Sequence, residues 1–239
     1  MKGYTAVITG GNKGIGADLA GAMVAKGWHV VSLARHPGAD PAVEHIICDL
    51  SDPVAVEDAA QAIAARHQVT HFVQNAGIIL PNLIEDARAQ DMLALTQLHL
   101  ASALVLTQAF LPAMKARGFG RVLFNASRAA LGAKTRTAYS ASKAGMIGMA
   151  RTWALELAEH GITVNVVAPG PILTDNFWGI VPKGSTQEDD LARRIPVGRL
   201  GTVQDVTRAF MFLADPDAGF ITGQTLFVCG GASIGTVPI

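Results

Sequence analysis

Cysteine and charge are both scarce in this 239-residue sequence. Its only two cysteines, Cys48 and Cys229, stand in apolar, strand-like contexts, which excludes a disulfide framework and fits a reducing cytoplasm. Charged residues make up 16% and cancel to a formal net charge of zero, so no nucleic-acid or anionic-membrane partner is expected. With 50% hydrophobic residues, the composition indicates a well-buried core and buried subunit contacts.

Charge is absent altogether from Met92 to Met114, a stretch long enough to span a membrane. Polar side chains are nevertheless spread through it, namely Thr96, Gln97, His99, Ser102, Thr107 and Gln108. We therefore interpret it as a helix buried inside an oligomer. The apolar run that ends at Ile8 is too short for a signal peptide, so we expect a soluble, cytoplasmic protein without a membrane partner.

No linker divides the chain, and residues 1–239 are long enough for one large α/β domain. The predicted strands are Thr5–Thr9, Trp28–Ala34, His45–Cys48, Val69–Val73, Arg121–Ala126, Ile162–Val167 and Thr225–Cys229. The predicted helices are Ala17–Lys26, Val54–His67, Met92–Arg117 with a break near Pro112, Ala138–His160 and Thr202–Leu213. Residues 176–196 are too long for an ordinary connection and predict a substrate lid.

A glycine-rich turn follows the first predicted strand, with the spacing Gly-x-x-x-Gly-x-Gly. A strand, such a turn and a helix let backbone N–H groups hold a pyrophosphate. Gly10 permits the tight turn, Gly14 permits close approach of the phosphates, and Gly16 permits close helix–strand packing. We therefore predict a dinucleotide site that is formed by Gly10, Asn12, Lys13, Gly14, Ile15 and Gly16.

A carboxylate is missing where an NAD-binding protein would use one. The second predicted strand ends in Ala34-Arg35-His36, without the acid that binds a ribose 2′-OH. Arg35 and Lys13 are suitable donors to a 2′-phosphate, which favours NADP(H) over NAD(H), the alternative being two solvated surface charges. Asp49-Leu50 follows the third strand, where Asp49 is placed to bind adenine. A helix cap at Asp49 or Ser51 is the alternative role.

A hydroxyl, a phenol and an ammonium stand close together in the middle of the chain. Ser127 precedes Tyr139 by twelve residues, and Lys143 follows Tyr139 by four. On a helix that begins near Thr137, Tyr139 and Lys143 lie one turn apart on the same face. A free tyrosine has a pKa near ~10, and a neighbouring ammonium lowers that pKa toward neutral pH. We predict a proton-transfer pair, the alternative being a surface tyrosine and lysine.

Metal ligands show no clear cluster. His67 and His71 have the spacing of helical ligands, but they straddle a helix-to-strand junction, so no metal site is predicted.

Taken together, these motifs resemble the short-chain dehydrogenase/reductase family over essentially the whole chain. The motifs are Thr9-Gly10-x-x-x-Gly14-x-Gly16, Asn75-Ala76-Gly77, Ser127, Tyr139-x-x-x-Lys143 and Pro169-Gly170, in the family's order. The resemblance implies a single Rossmann-type, doubly wound α/β domain with a mostly parallel seven-stranded sheet and helices on both faces. It also implies a nicotinamide cofactor, and size and C-terminal sequence are similar to the 3-oxoacyl-carrier-protein reductase branch.

The same resemblance implies a role for each matching residue. Tyr139 is the general acid in reduction and the general base in oxidation, Lys143 lowers its pKa and binds the nicotinamide ribose, and Ser127 binds the substrate oxygen. Cofactor contacts are further implied for Asn75, Ala76, Gly77, Pro169, Gly170, Ile172 and Thr174, with Ile172 and Thr174 at the carboxamide.

One position departs from the family pattern. His99 stands where the family usually has an asparagine, the fourth member of the catalytic set, whose main-chain carbonyl holds a water that links the lysine to solvent. The histidine keeps that carbonyl. Its side chain either takes part directly, with a titration near pH ~6.5, or is a packed, hydrogen-bonded core histidine. Ser142, next to Lys143, is interpreted as an ordinary small helix residue.

The main hypothesis is a cytoplasmic, NADP(H)-preferring oxidoreductase that acts on a small-molecule ketone or secondary alcohol and forms a homodimer or homotetramer. An NAD-dependent alcohol dehydrogenase of the same family is one alternative. A non-catalytic NADP(H)-binding sensor is another, and the presence of both Tyr139 and Lys143 favours the enzyme, because a sensor can lose either residue.

Overall fold

The computed structural model describes residues 3–234 and contains one seven-stranded sheet in the order β3-β2-β1-β4-β5-β6-β7. The strands are β1 Thr5–Thr9, β2 His29–Ala34, β3 Glu44–Ile47, β4 His71–Gln74, β5 Gly120–Asn125, β6 Ile162–Pro169 and β7 Thr225–Val228. The helices are α1 Gly14–Ala25, α2 Pro53–Arg66, α3 Ala89–Thr96, α4 Ser102–Arg117, α5 Thr137–Leu157, α6 Asp175–Trp178, α7 Thr186–Arg194 and α8 Val203–Ala214. All six strand pairs are parallel, which confirms the predicted doubly wound sheet.

The sheet is buried on both faces, and most side chains of its central strands are apolar. Ala6, Val7 and Ile8 of β1 are each 0% exposed, as expected for a parallel sheet with helices on both sides. One apolar cluster packs under α2, α4 and α5, and the other packs under α1 and α8. The strand order reverses between β1 and β4, so a crevice opens at the carboxyl ends of these strands, where such sheets bind ligands.

The long apolar helix is interrupted at a different place from the one predicted. A π-helical turn over Gln97–Ala101 separates α3 from α4, whereas Pro112 lies inside α4 without a break. The carbonyl of Leu98 is satisfied by side chains, since Gln74 Nε2 donates to it at 3.0 Å and Ser102 Oγ at 2.7 Å. Pro112 is exposed, so water can reach the backbone carbonyl that its missing N–H leaves unpaired.

The combined helical stretch Ala89–Arg117 is long and apolar enough to cross a membrane. One of its faces is nevertheless part of the core described above. That face carries Leu95, His99, Ala103, Leu106, Phe110 and Met114, which recur every three or four residues and are at most 1% exposed. This is the pattern of a core helix in a globular protein.

Three further features of the helices differ from the sequence predictions. Helix α1 begins at Gly14 and not at Ala17, so two of the glycines lie in its first turn. Helix α2 is capped by Asp52, whose carboxylate accepts hydrogen bonds from Val54 N at 3.0 Å and Ala55 N at 3.3 Å, and not by Asp49 or Ser51. The segment 176–196 contains most of α6 and all of α7, whose N-cap side chains are Thr174 and Ser185.

Candidate active site

Four side chains from three separate elements meet at the carboxyl edge of the sheet. Ser127 follows β5, Tyr139 and Lys143 lie one turn apart on α5, and His99 lies in the π-helical turn. The Tyr139 hydroxyl lies near Ser127, whose side chain favours the ionised form of the phenol and so lowers its pKa. Lys143 Nζ lies 5.6 Å from the centroid of the Tyr139 ring, and the His99 ring lies edge-on at 5.9 Å from it. The residues that the sequence analysis grouped therefore converge.

Ser127 is held in place by the short 3₁₀ turn that it begins. Its Oγ accepts a hydrogen bond from the Ala129 backbone N at 3.1 Å, and the turn continues over Arg128–Leu131. This contact uses a lone pair and leaves the hydroxyl hydrogen available to point at an oxygen near Tyr139.

Lys143 is buried among neutral groups. Its Nζ donates to the backbone carbonyl of Asn125 at 2.7 Å and lies 3.7 Å from the Met146 sulfur. Only 2% of the residue is exposed, and this burial lowers the pKa of the ammonium from 10.5 to about 7. The side chain is therefore poised to change its charge near neutral pH.

Burial also raises the pKa of Tyr139, while the Ser127 side chain and the charge of Arg136 lower that pKa by less. The predicted lowering of the Tyr139 pKa toward neutral pH is wrong, because burial raises this pKa by more than the neighbouring groups lower it. The ammonium is turned toward the Asn125 carbonyl, and desolvation outweighs the favourable contacts. At neutral pH the phenol therefore holds its proton.

His99 is fully buried, and one of its ring nitrogens has a clear partner. Its Nδ1 lies 2.8 Å from Ser142 Oγ. Burial, and then the charge of Lys143, lowers the pKa of the imidazole to about 2, so the ring stays neutral across the working range. Of the two alternatives for this side chain, the structure therefore favours the packed, hydrogen-bonded core histidine over a titration near pH ~6.5.

The glycine turn has the shape that was predicted for it. Gly10 and Gly14 have φ angles of +64° and +55°, which L side chains rarely adopt. A Cβ on Gly16 would collide with the Gly10 carbonyl oxygen, so helix and strand could not pack this closely with any other residue. Lys13 is the N-cap of α1 and makes no side-chain cap, which leaves the first N–H groups of the helix, with Asn12 and Ile15 beside them, open to an anion.

Asn75 joins the ends of three strands beside this turn. Its Nδ2 donates to the carbonyls of Thr9 at 2.9 Å and Gly10 at 3.1 Å, and its Oδ1 accepts from Asn125 Nδ2 at 2.8 Å. The backbone N of Ala76 adds a bond to Thr9 Oγ1 at 3.0 Å. Gly77 continues from here to the Lys143 side of the site.

At the predicted adenosine end of the crevice, Arg35 follows β2 directly and is exposed, as is Lys13. Asp49 is also exposed and its neighbour Leu50 is buried. Hydrogen bonds from Ser51, and more weakly the charge of Arg35, hold the pKa of Asp49 below its usual value. Arg35 and Asp49 therefore border the same corner of the crevice, and β2 itself contributes no carboxylate to it.

The loop after β6 returns to the glycine turn. Gly170 lies against Cys229, which leaves no room for a side chain, and the buried Ile172 bridges to Gly201. Thr174 caps α6 with its hydroxyl, and its methyl group lies 3.6 Å from where a Cβ of Gly14 would be. Pro169 to Thr174 thus faces the predicted dinucleotide crevice.

Sequence reasoning missed three contributors to the site. Asn125 provides the carbonyl for Lys143, and Ser142 contacts His99 instead of being an ordinary helix residue. Arg136 stabilises the phenolate of Tyr139. It follows Thr135, a β-branched residue at φ +67°, and a positive φ at such a residue marks a constrained turn. For Ser142, the position of its hydroxyl next to Lys143 on the helix was the one sequence signal that pointed to a role in the site.

A histidine cluster on the opposite side of the fold was also missed. His29 Nε2 and His67 Nε2 lie 3.1 Å and 3.2 Å from Glu44 Oε2, and Arg66 contacts the other oxygen of that carboxylate. The three residues His29, Glu44 and His67 could hold a metal ion, but their mutual hydrogen bonds and the guanidinium already account for the arrangement. His71 is separate from it, buried with its Nε2 at 3.0 Å from the Ala214 carbonyl.

Comparisons with known proteins agree with this geometry. A family model described as enoyl-(acyl carrier protein) reductase matches residues 10–233. The 3-oxoacyl-(acyl-carrier-protein) reductase FabG of Escherichia coli (strain K12) is 33% identical over 241 residues, covering 97% of this chain and 98% of that protein. The (2S)-((R)-hydroxy(phenyl)methyl)succinyl-CoA dehydrogenase subunit BbsD of Thauera aromatica is 39% identical over 189 residues, covering 79% and 75%.

Among solved structures, one from Beutenbergia cavernae superposes with a TM-score of 0.91 at 32% identity and covers 98% of both chains. That protein is assigned as an NAD(P)-dependent gluconate 5-dehydrogenase and holds NADP at low occupancy. The similarity therefore extends over sequence and fold alike, from the glycine turn to the last strand.

Proposed function

Because this chain belongs to the short-chain dehydrogenase/reductase family, whose members are NAD(P)-dependent oxidoreductases, we propose that it transfers a hydride between NADP(H) and a carbonyl or secondary-alcohol substrate. The observation that carries the proposal is the convergence of the Tyr139 phenol and Ser127 beside the buried Lys143, whose Nζ lies 5.6 Å from the centroid of the Tyr139 ring. These groups stand at the carboxyl edge of the sheet, where the crevice between β1 and β4 opens.

The residues of the crevice fit a dinucleotide. The uncapped N-terminus of α1 and the positive φ angles of Gly10 and Gly14 suit a pyrophosphate, and the loop from Pro169 to Thr174 suits the carboxamide. Asn75 to Gly77 borders the same crevice. When bound there, the nicotinamide supplies or accepts the hydride.

The chain's own residues would then supply the proton and stabilise charge. During reduction, negative charge develops on the substrate oxygen, and the hydroxyls of Ser127 and Tyr139 donate to it. Tyr139 gives up its proton to that oxygen, and the charges of Lys143 and Arg136 stabilise the phenolate that remains. The raised pKa of Tyr139 keeps it protonated at neutral pH, which suits it to act as the general acid.

A substrate panel tests this proposal. Purified protein with NADPH is assayed against simple ketones, oxo sugar acids and 3-oxoacyl thioesters, the last because relatives named above act on acyl-carrier-protein and CoA compounds. Consumption of NADPH that depends on one carbonyl class supports the enzyme. Tight NADPH binding with no turnover on the whole panel would support the non-catalytic sensor instead.

Arg35→Asp is expected to weaken NADPH binding by roughly 10- to 100-fold and to weaken NADH binding much less. A guanidinium makes charge-assisted hydrogen bonds to a 2′-phosphate, and an introduced carboxylate repels that group. Isothermal titration with both cofactors measures the difference.

Lys26→Asp is the matched control, because Lys26 is an exposed cation at the far end of α1 from Lys13. Equal losses of NADPH and NADH binding in the Arg35 variant would contradict the phosphate role and favour the NAD-dependent alcohol dehydrogenase.

The proposed enzyme works in the cytoplasm as a homodimer or homotetramer. Large apolar side chains stay exposed on the helical stretch and on α5, with Leu93 68%, Leu104 41% and Leu155 86% exposed, which supports a subunit contact there. Light scattering of the purified protein measures the assembly. Three residues of segment 176–196, Glu188, Asp189 and Ala192, line an open surface pocket of about 440 Å³ together with Leu173, next to Thr174, and this position supports the lid proposed for the segment.

A further inference from the structure

His99 has a second ring nitrogen that the proposed mechanism does not use. Its Nε2 is buried and has no hydrogen-bond partner within residues 3–234. A Cβ on Gly77 would lie 2.9 Å from this nitrogen and 3.4 Å from Lys143 Nζ, so both nitrogens border the same small volume. A buried polar atom without a partner is costly and requires an explanation.

Ser142 determines which nitrogen of His99 carries the proton. The Ser142 hydroxyl has one hydrogen, and Oγ lies 2.9 Å from the Tyr139 backbone carbonyl, to which it can only donate. Oγ must then accept the 2.8 Å hydrogen bond from His99, which places the proton on Nδ1. The neighbouring ammonium of Lys143 favours the same tautomer, because it repels an N–H and attracts a lone pair at Nε2.

We propose that neutral His99 is a positioning residue, whose Nε2 lone pair accepts a hydrogen bond from the Lys143 ammonium through one bridging water, and that Ser142 holds the required tautomer. Lys143 has a donor to spare, because Asn125 takes one N–H and the Met146 sulfur is a weak acceptor. The side chain at this position therefore acts on the lysine, in addition to whatever its backbone carbonyl does. The inference rests on the proposed function only for its effect on turnover.

The expected consequence is a lysine that keeps its charge to higher pH than burial alone would allow. A hydrogen bond to the charged form raises the pKa of an amine, so removing the acceptor lowers the pKa of Lys143. The other groups that face this site are Tyr139, Ser127 and Arg136. Arg136 is a cation that has only donors, and neither hydroxyl accepts a hydrogen bond from Lys143 Nζ in the structure, so none of them replaces the lost acceptor. Reduction needs the charged lysine, so the pH above which the rate of reduction falls is expected to be lower as well.

Three variants of His99 separate the side chain from the backbone. A glutamine amide reaches the position of Nε2, an asparagine amide reaches only the position of Nδ1, and leucine reaches neither with a polar atom. We expect His99→Leu and His99→Asn to lower the pKa of Lys143 by roughly one unit, and His99→Gln to restore most of it. The pKa is read from the ε-carbon resonance of Lys143 in protein carrying ¹³C-labelled lysine, which needs no turnover.

The pH profile of kcat/KM for reduction is expected to shift in parallel, with unchanged NADPH affinity and unfolding temperature in His99→Gln. A Lys143 pKa that is the same in wild type and in both His99→Leu and His99→Asn would overturn the proposal.

Imidazole ¹⁵N chemical shifts test the tautomer without any substrate. The His99 signals are assigned by their loss in His99→Gln, and we expect a protonated Nδ1, a lone pair on Nε2 and no titration between about pH 5 and 8. A proton on Nε2 in the wild type would contradict the inference even if the enzyme turns over ketones. Absence of turnover would reject the proposed function and leave both spectroscopic results standing.

Discussion

Tyr139→Phe is expected to lower kcat for carbonyl reduction by ~10²–10⁴-fold, the range that a positioned general acid contributes. The change removes one hydroxyl, the donor that protonates the substrate oxygen, and leaves an aromatic ring of nearly the same volume against His99. NADPH affinity is expected to change little, because the glycine turn, Arg35 and Thr174 are untouched. Stopped-flow or steady-state assays on the best substrate of the panel measure the loss.

Tyr4→Phe is the matched control, since Tyr4 and Tyr139 are the two tyrosines of the chain. Tyr4 packs against Trp28, His71 and Phe119, in an aromatic cluster beside the beginning of β1 and away from Ser127. The same chemical change there is expected to leave kcat within about twofold. Unaltered turnover in Tyr139→Phe with intact NADPH binding would refute the proposed proton transfer.

Lys143→Met is expected to abolish most of the turnover and, unusually for a buried site, to stabilise the fold. The ordinary pKa of the lysine is 10.5, and burial brings it to about 7 in the folded protein. Below pH 7 Lys143 is charged in the folded and in the unfolded chain, so the folded protein is destabilised by the full free energy of removing the ammonium from water. Methionine has a similar volume and no charge, so the free energy of unfolding near pH 7 is expected to rise by a few kcal/mol.

The pH dependence of stability gives the sign of this effect. Between pH 7 and 10.5 the unfolded chain binds a proton at Lys143 that the folded chain lacks, so this residue makes wild-type stability increase with pH in that window. Lys143→Met removes this contribution, and urea unfolding at several pH values measures the difference between the two proteins. Lys115→Met changes an exposed lysine and is expected to leave the slope unchanged. If the free energy of unfolding has the same slope against pH in the wild type and in Lys143→Met, burial does not lower the pKa of Lys143 in the folded protein.

Local features of the fold could be predicted closely from the residues. The strand β1, the glycine turn and the order of Ser127, Tyr139 and Lys143 depend on spacing within short segments, and the structure brings these residues to one edge. The break in the long helix could not be predicted this way. Pro112 is the residue that local rules would choose as the helix breaker, yet the α-helix is interrupted by the π-helical turn Gln97–Ala101. There Gln74, from strand β4, donates a hydrogen bond to the Leu98 carbonyl.

The sequence by itself determined which groups are available: a glycine-rich turn after β1, the cations Lys13 and Arg35 with no carboxylate at the end of β2, and a phenol one helical turn from an ammonium. Only the tertiary structure decided how strongly these groups hold their protons. Burial raises the pKa of Tyr139 and lowers those of Lys143 and His99, because packing of β5, α5 and the π-helical turn removes water from all three. The contact between Ser142 and His99 joins residues far apart in the chain. No local pattern encodes it, since it depends on how two helices pack.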